Sequence, residues 1–159
     1  MNESKELPIS GFALEKVYFP EQSLRTMPPS QELPESDPPV LFGWDWRLTG
    51  KGTFEVALHL GLGPTRSRPE EGSFAVCGAF RVLGNGVTVQ LAEFVKAQGP
   101  AILFPYLREC IASLTGRGPF GALALPPVNV LGLMKDVDPE KATGAIQLRS
   151  KGESEVSEA

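Results

Sequence analysis

The stretch ILFPYLRECIASLTGRGPFGALALPPVNV, residues 102–130, changes character halfway along. Its first half carries Leu107, Ile111 and Leu114 in one stripe and Tyr106, Cys110 and Ser113 in another, the spacing of a helix with two apolar sides. A proline costs no hydrogen bond only in the first helical turn, so Pro105 places the expected helix start near Phe104. Gly116 and Gly118 are expected to end it. A helix apolar on two sides lies between two surfaces, one being its own sheet and the other, we expect, a second subunit. The second half is apolar, rich in Gly and Pro, and neither helical nor alternating. Such a segment is either a loop pressed onto a core or a surface kept apolar because something binds it.

Upstream, three stretches alternate with a period of two. VLFGWDWRL places Val40, Phe42, Trp44, Trp46 and Leu48 on one side. TFEVALHLGL does so with Phe54, Val56, Leu58, Leu60 and Leu62, and SFAVCGAFRV with Phe74, Val76, Phe80 and Val82. Alternation of this length marks strands with one face on a core. The links TGKG and GPTRSRPEEG are turn-like, so an antiparallel meander is expected. GFALEKVYF, from Gly11, reads as a further strand. Residues 20–39 hold six prolines in twenty positions, a composition that predicts one long extended loop. The opposite sheet face carries Ala57, Gly61, Ala75, Cys77 and Ala79, small residues that let a second surface approach closely. Ala75, Cys77 and Ala79, with Tyr106, Cys110 and Ser113 on the helix, are the expected subunit contacts. VQLAEFVKAQ suits a short helix ended by Gly99-Pro100, and VNVLGLMKDV a last short helix stopped by Pro139. The segment after it is mostly polar, with one apolar pair, Ile146 and Leu148. The expected organisation is a flexible start at 1–9, one α+β domain at 10–137 and a mobile tail at 138–159.

The 159 residues suit a single core, and a net charge of −4 lacks the basic stripe that nucleic acid needs. Cys77 and Cys110 stand 33 residues apart without a CxxC, and there is one histidine, so no zinc site is expected. Two free thiols suit a reducing compartment. MNESKELPIS has no apolar signal core, and no run of about 18 apolar residues occurs, so neither a signal peptide nor an integral membrane segment is expected and the cytoplasm is. TGKGT fails as a phosphate loop, because the required first glycine is Asp45 and a strand follows instead of a helix. His59 is the only imidazole and has no nucleophile near it in sequence. Asp45, between two tryptophans, lacks an evident second carboxylate for glycoside chemistry. No enzyme, no cofactor and no metal are expected.

The opening stretch resembles the SecB-type protein-export chaperones. Leu103, Phe104, Pro105, Tyr106, Arg108 and Glu109 match a signature close to LFPYARE. Arg117, Gly118 and Phe120, then Leu125, Pro127, Val128 and Asn129, match the RG-x-F and L-x-PVNF that follow it, with Leu107 and Val130 as departures. The resemblance implies a four-stranded antiparallel sheet packed by a long helix and a short C-terminal helix. It implies a homotetramer built as a dimer of dimers, with no catalytic chemistry. It also implies a holdase that keeps unfolded precursor proteins export-competent in apolar grooves and passes them to the translocase motor ATPase, SecA. Some relatives instead guard the antitoxin of a toxin–antitoxin pair, so a dedicated single-partner chaperone is the alternative. The groove candidates are Met27 and Leu33 on the first loop, Phe120, Leu123 and Leu125 after the helix, and Val130, Leu131, Leu133 and Met134 on the last short helix. In the family, acids on the sheet dock the motor. Glu21 matches one, whereas Arg25 and Gly78 stand where two others align.

Overall fold

The structure is a computed structural model that describes residues 11–28, 30, 32–35, 40–83, 91–125, 129 and 132, and the backbone of 143–148. Strands β1 (Phe12–Thr26), β2 (Val40–Gly50), β3 (Thr53–Leu62), β4 (Glu70–Val82) and β5 (Thr143–Leu148) form one sheet. Its order is β1-β4-β3-β2-β5, and every neighbouring pair is antiparallel. The expected meander is β2–β3–β4, with β1 returning beside β4. Helices α1 (Leu91–Glu93) and α2 (Gly99–Gly116) are joined by a π-turn at Phe94–Gln98.

The alternating sets decide which face is core. Phe42, Trp44, Phe54, Val56, Leu58, Leu60, Phe74, Val76 and Phe80 are all buried. They meet Leu103, Phe104, Leu107 and Ile111 of α2, so one face of the sheet carries the helix. Phe94 of the π-turn stacks on Phe12 at 4.2 Å and meets Phe54 and Phe80 edge-on. The Trp44 indole N–H donates to Val95 O at 2.9 Å, satisfying a carbonyl that the π-turn buries.

Three expectations change. First, β1 continues to Thr26, through Pro20, where a loop was expected. Pairing passes from Tyr18↔Cys77 to Glu21↔Ala75, so Phe19 and Pro20 together oppose one residue. Proline is tolerated in such a bulge of an edge strand, where its missing N–H breaks no ladder bond. Second, Gly99-Pro100 does not stop a helix but begins α2. A side chain at Gly99 would lie 3.2 Å from Val56 Cγ2, so glycine lets the helix start press onto the sheet. Third, α2 therefore starts five residues before Phe104, and Pro105 lies inside it. Pro105 and Ala101 are exposed, so water can serve the carbonyl that Pro105 leaves unbonded. The expected four-stranded antiparallel sheet is present, and Thr143–Leu148 adds an edge strand to it by pairing with β2. Val130, Leu131, Leu133 and Met134 lie outside the described residues. Of the expected last helix only Asn129 and Gly132 are described, with Asn129 Oδ1 accepting the Gly132 N–H at 3.0 Å in the manner of a helix N-cap.

Candidate functional site

Five of the apolar groove candidates are described, and all five are half-buried: Met27, Leu33, Phe120, Leu123 and Leu125. None belongs to a strand or helix. Leu123 and Leu125 pack on the edge of the core cluster. Their segment leaves the end of α2 through Gly121, whose φ of 77° falls in the left-handed region open to glycine.

The β3–β4 connection ties these segments down. Met27 N–H donates to Pro69 O at 2.7 Å, and Arg66 N–H to Pro34 O at 2.9 Å. The Arg66 guanidinium also pairs with Glu35 at 2.7 Å. On the other side, Arg68 donates to Phe120 O and Gly121 O, each at 2.9 Å. Arg68 also pairs with Glu70 at 2.9 Å, and the Glu70 side chain is fully buried. Thr115, the last buried residue of α2, donates to Ile111 O at 2.7 Å and accepts the Leu123 N–H at 2.8 Å. The backbone of both irregular segments is thus bonded while their apolar side chains stay partly open.

Sequence alone marks residues 63–72 as a plain turn, which hides Arg66, Arg68 and Glu70, and marks Thr115 only as the end of a helix. One signal was present. Glu70 shares the parity of Phe74, Val76 and Phe80, so a carboxylate was due to face the core side at the start of β4.

The second region is the open sheet face. Arg47 bonds Glu55 through two nitrogens at 2.6 and 2.8 Å, and the Tyr18 hydroxyl donates to Glu55 at 3.0 Å. Burial alone would raise the Glu55 pKa, but the bonds from Arg47 and Tyr18 outweigh it and hold the carboxyl below its ordinary value. The Tyr18 hydroxyl is pushed well above its ordinary range by its hydrogen bond to Cys77, with burial and Glu55 adding to it. Burial likewise raises both thiols, Cys77 and Cys110. Tyr18, Arg47, Glu55 and Cys77 border a hollow of about 220 Å³ that also reaches Asp45 and His59. His59 is exposed. Among the described residues no group of three or more His, Cys, Asp or Glu could hold a metal ion.

Of the expected subunit contacts, Ala75 and Cys77 are already buried by this chain alone, flanked in register by Glu21, Tyr18, Ala57 and His59. Ala79 is half-buried. On α2, Cys110 is buried and its thiol donates to Gln22 at 3.3 Å, whereas Tyr106 and Ser113 are exposed. Ile102 and Tyr106, 38% and 42% exposed, stand one turn apart and leave apolar surface on the outer side of the helix. Glu21 is exposed, and Arg25 pairs with Glu71 at 3.0 Å. Gly78 lies on the helix-covered face, where a Cβ would stand 2.8 Å from both Leu103 and Phe80.

The sequence model of the family described as Preprotein translocase subunit SecB matches residues 5–139. The chain belongs to the SecB family. It is 40% identical over 89 residues to the Protein-export protein SecB of Haemophilus ducreyi, a stretch that is 52% of this chain and 50% of that relative. The match thus spans about half the length of that curated relative. Among solved structures the chain resembles the SecB-like chaperone of Mycobacterium tuberculosis, solved in complex with a ChAD peptide from the HigA1 antitoxin. That likeness has a TM-score of 0.57 at 19% identity and covers 74% of this chain and 91% of the other. It bears on the fold alone. Among the described residues no helix is long and apolar enough to cross a membrane.

Proposed function

We propose that this SecB-family chain is a holdase that binds unfolded precursor proteins and keeps them competent for export. The observation that carries the reading is the set of apolar side chains Met27, Leu33, Phe120, Leu123 and Leu125, which stay half-buried outside any strand or helix while the backbone beside them is bonded to one connection. An unfolded client offers scattered apolar groups without a fixed shape. Apolar area outside regular ladders suits such a ligand, because it can repack around different side chains. Val130, Leu131, Leu133 and Met134, which lie outside the described residues, remain client-contact candidates on their sequence alone.

In this reading the protein works in the cytoplasm, without cofactor, metal or catalysis. It forms a homotetramer through the outer side of α2 at Ile102, Tyr106 and Ser113, with Ala79 of the sheet as a further contact. The open sheet face receives the SecA motor, with Glu21 as one docking acid. The pairing of Arg25 with Glu71 lowers the negative charge available beside it. A second reading, a chaperone dedicated to one partner such as an antitoxin, is favoured by the peptide complex of the solved SecB-like relative. Suppression of aggregation separates the two. The holdase reading expects several unrelated chemically unfolded proteins to be kept soluble without nucleotide. Protection of one partner alone decides for the dedicated chaperone.

A further inference from the structure

We propose that Arg68, seated on the buried carboxylate of Glu70, is the positioning residue that sets where Phe120–Leu125 lies and so which apolar surface a client meets. The inference rests on the client-binding reading above. A fully buried carboxylate is costly, and one atom of this one, Glu70 Oε1, finds no hydrogen-bond partner. Glu70 is also packed beneath Gly118, where a Cβ would come within 2.9 Å of that same oxygen. Its other oxygen orients the Arg68 guanidinium, which then reaches two successive carbonyls, Phe120 O and Gly121 O. Only a planar fork spans both. The Arg68 backbone is itself fixed, because its carbonyl accepts from Thr65 N–H at 2.9 Å and Glu70 N–H at 2.8 Å.

The same short connection holds the first loop through Pro69 O and Arg66. Residues 65–70 therefore set the spacing of two apolar segments that are far apart in sequence. The grip is on main-chain carbonyls, so it places the segment without consuming the side chains of Phe120 and Leu123. Thr115 holds the segment a second time, at Leu123 N–H.

The test uses the full chain with Arg68→Met and Glu70→Leu combined. Replacing both partners leaves no orphaned buried charge, so the variant is expected to fold with a cooperative melt. Two measurements follow: amide exchange across residues 120–125, and the dissociation constant for reduced, carboxymethylated α-lactalbumin, which stays unfolded. Charge-assisted bonds to two carbonyls are lost, so exchange there should rise by roughly tenfold or more. Affinity among the folded molecules should fall by at least about fivefold, a modest share of what those bonds hold. Arg68→Lys keeps the charge on Glu70 but cannot fork, so it should show a smaller rise in exchange, and it serves if the double variant does not fold. Wild-type exchange at 120–125 in a folded variant overturns the clasp. Raised exchange with affinity within about twofold of wild type, a difference below 0.5 kcal/mol, overturns the positioning role. Wild-type protein that fails to bind the probe overturns the client reading instead, and the exchange result then decides the clasp alone.

Discussion

Gly78 stands in the middle of β4 with the α2 residue Leu103 directly above it, and Gly78→Ala measures how tightly helix and sheet are packed. The new methyl carbon would lie 2.8 Å from Leu103 Cδ2, 2.8 Å from Phe80 Cε2 and 3.2 Å from Phe80 Cζ. Leu103 is 0% exposed and Phe80 1%, so neither has open space to move into. Inserting a methylene-sized group into such a core costs about 1–3 kcal/mol. Removing glycine from the unfolded chain returns about 0.4–1 kcal/mol. The expected net loss is about 1–2 kcal/mol, a fall in Tm of roughly 2–8 °C for a chain of this length. Urea unfolding and thermal melting both read it. If the clash is with Leu103, adding Leu103→Ala should make the two losses less than additive by about 1 kcal/mol. Gly78→Asp places a carboxylate without a partner between helix and sheet and should abolish cooperative folding. A Gly78→Ala protein as stable as wild type, or a well-folded Gly78→Asp, would refute the packing.

Tyr106→Glu should convert a tetramer of about 68 kDa, four copies of 17.1 kDa, into smaller species at micromolar concentration, read by light scattering. The same change should leave the melt nearly unaltered, since Tyr106 is 42% exposed; an unchanged mass places the contact elsewhere. The Glu55 pKa lies below its ordinary value of 4.5, so its stabilising effect is present above that pH and lost as pH falls through the folded-state value. Glu55→Gln should therefore flatten the acid side of the stability–pH curve, and a curve parallel to wild type would dismiss the network with Arg47 and Tyr18. His59→Ala should leave suppression of client aggregation within about twofold, a change below 0.5 kcal/mol, and a complete loss with the oligomer intact would reopen catalysis.

The three central strands were legible because period-two alternation is a property of the chain itself: Phe54, Val56, Leu58, Leu60 and Leu62 have no alternative face to occupy. The extension of β1 was not, because Pro20 excludes a ladder bond locally and only the edge position, fixed by the tertiary order, makes that harmless. The join at Gly99-Pro100 failed for a related reason. Glycine and proline mark stops by default, and the approach to Val56 that calls for glycine lies more than forty residues away in sequence. The apolar segments of the site could be named from composition. Their anchors could not, since Arg68 reaches carbonyls 52 and 53 residues away, bonds that leave no trace in side-chain pattern. The small-residue sheet face invited a subunit, yet Ala75 and Cys77 are covered by their own cross-strand neighbours.

The account turns on whether the irregular apolar segments bind an unfolded chain or merely pack. Met27→Ala with Phe120→Ala, assayed for client affinity and thermal melting on the same protein, tests this most directly. Both side chains are half-buried and lie outside the ladders. If they contact a client, each truncation removes apolar contact of about 1 kcal/mol. The double variant should then bind unfolded α-lactalbumin about thirtyfold more weakly, with Tm within a few degrees of wild type. Core residues would behave oppositely, losing about 2–5 kcal/mol of stability each. A large fall in Tm with unchanged affinity among the folded molecules would contradict the assignment of these segments as the client surface.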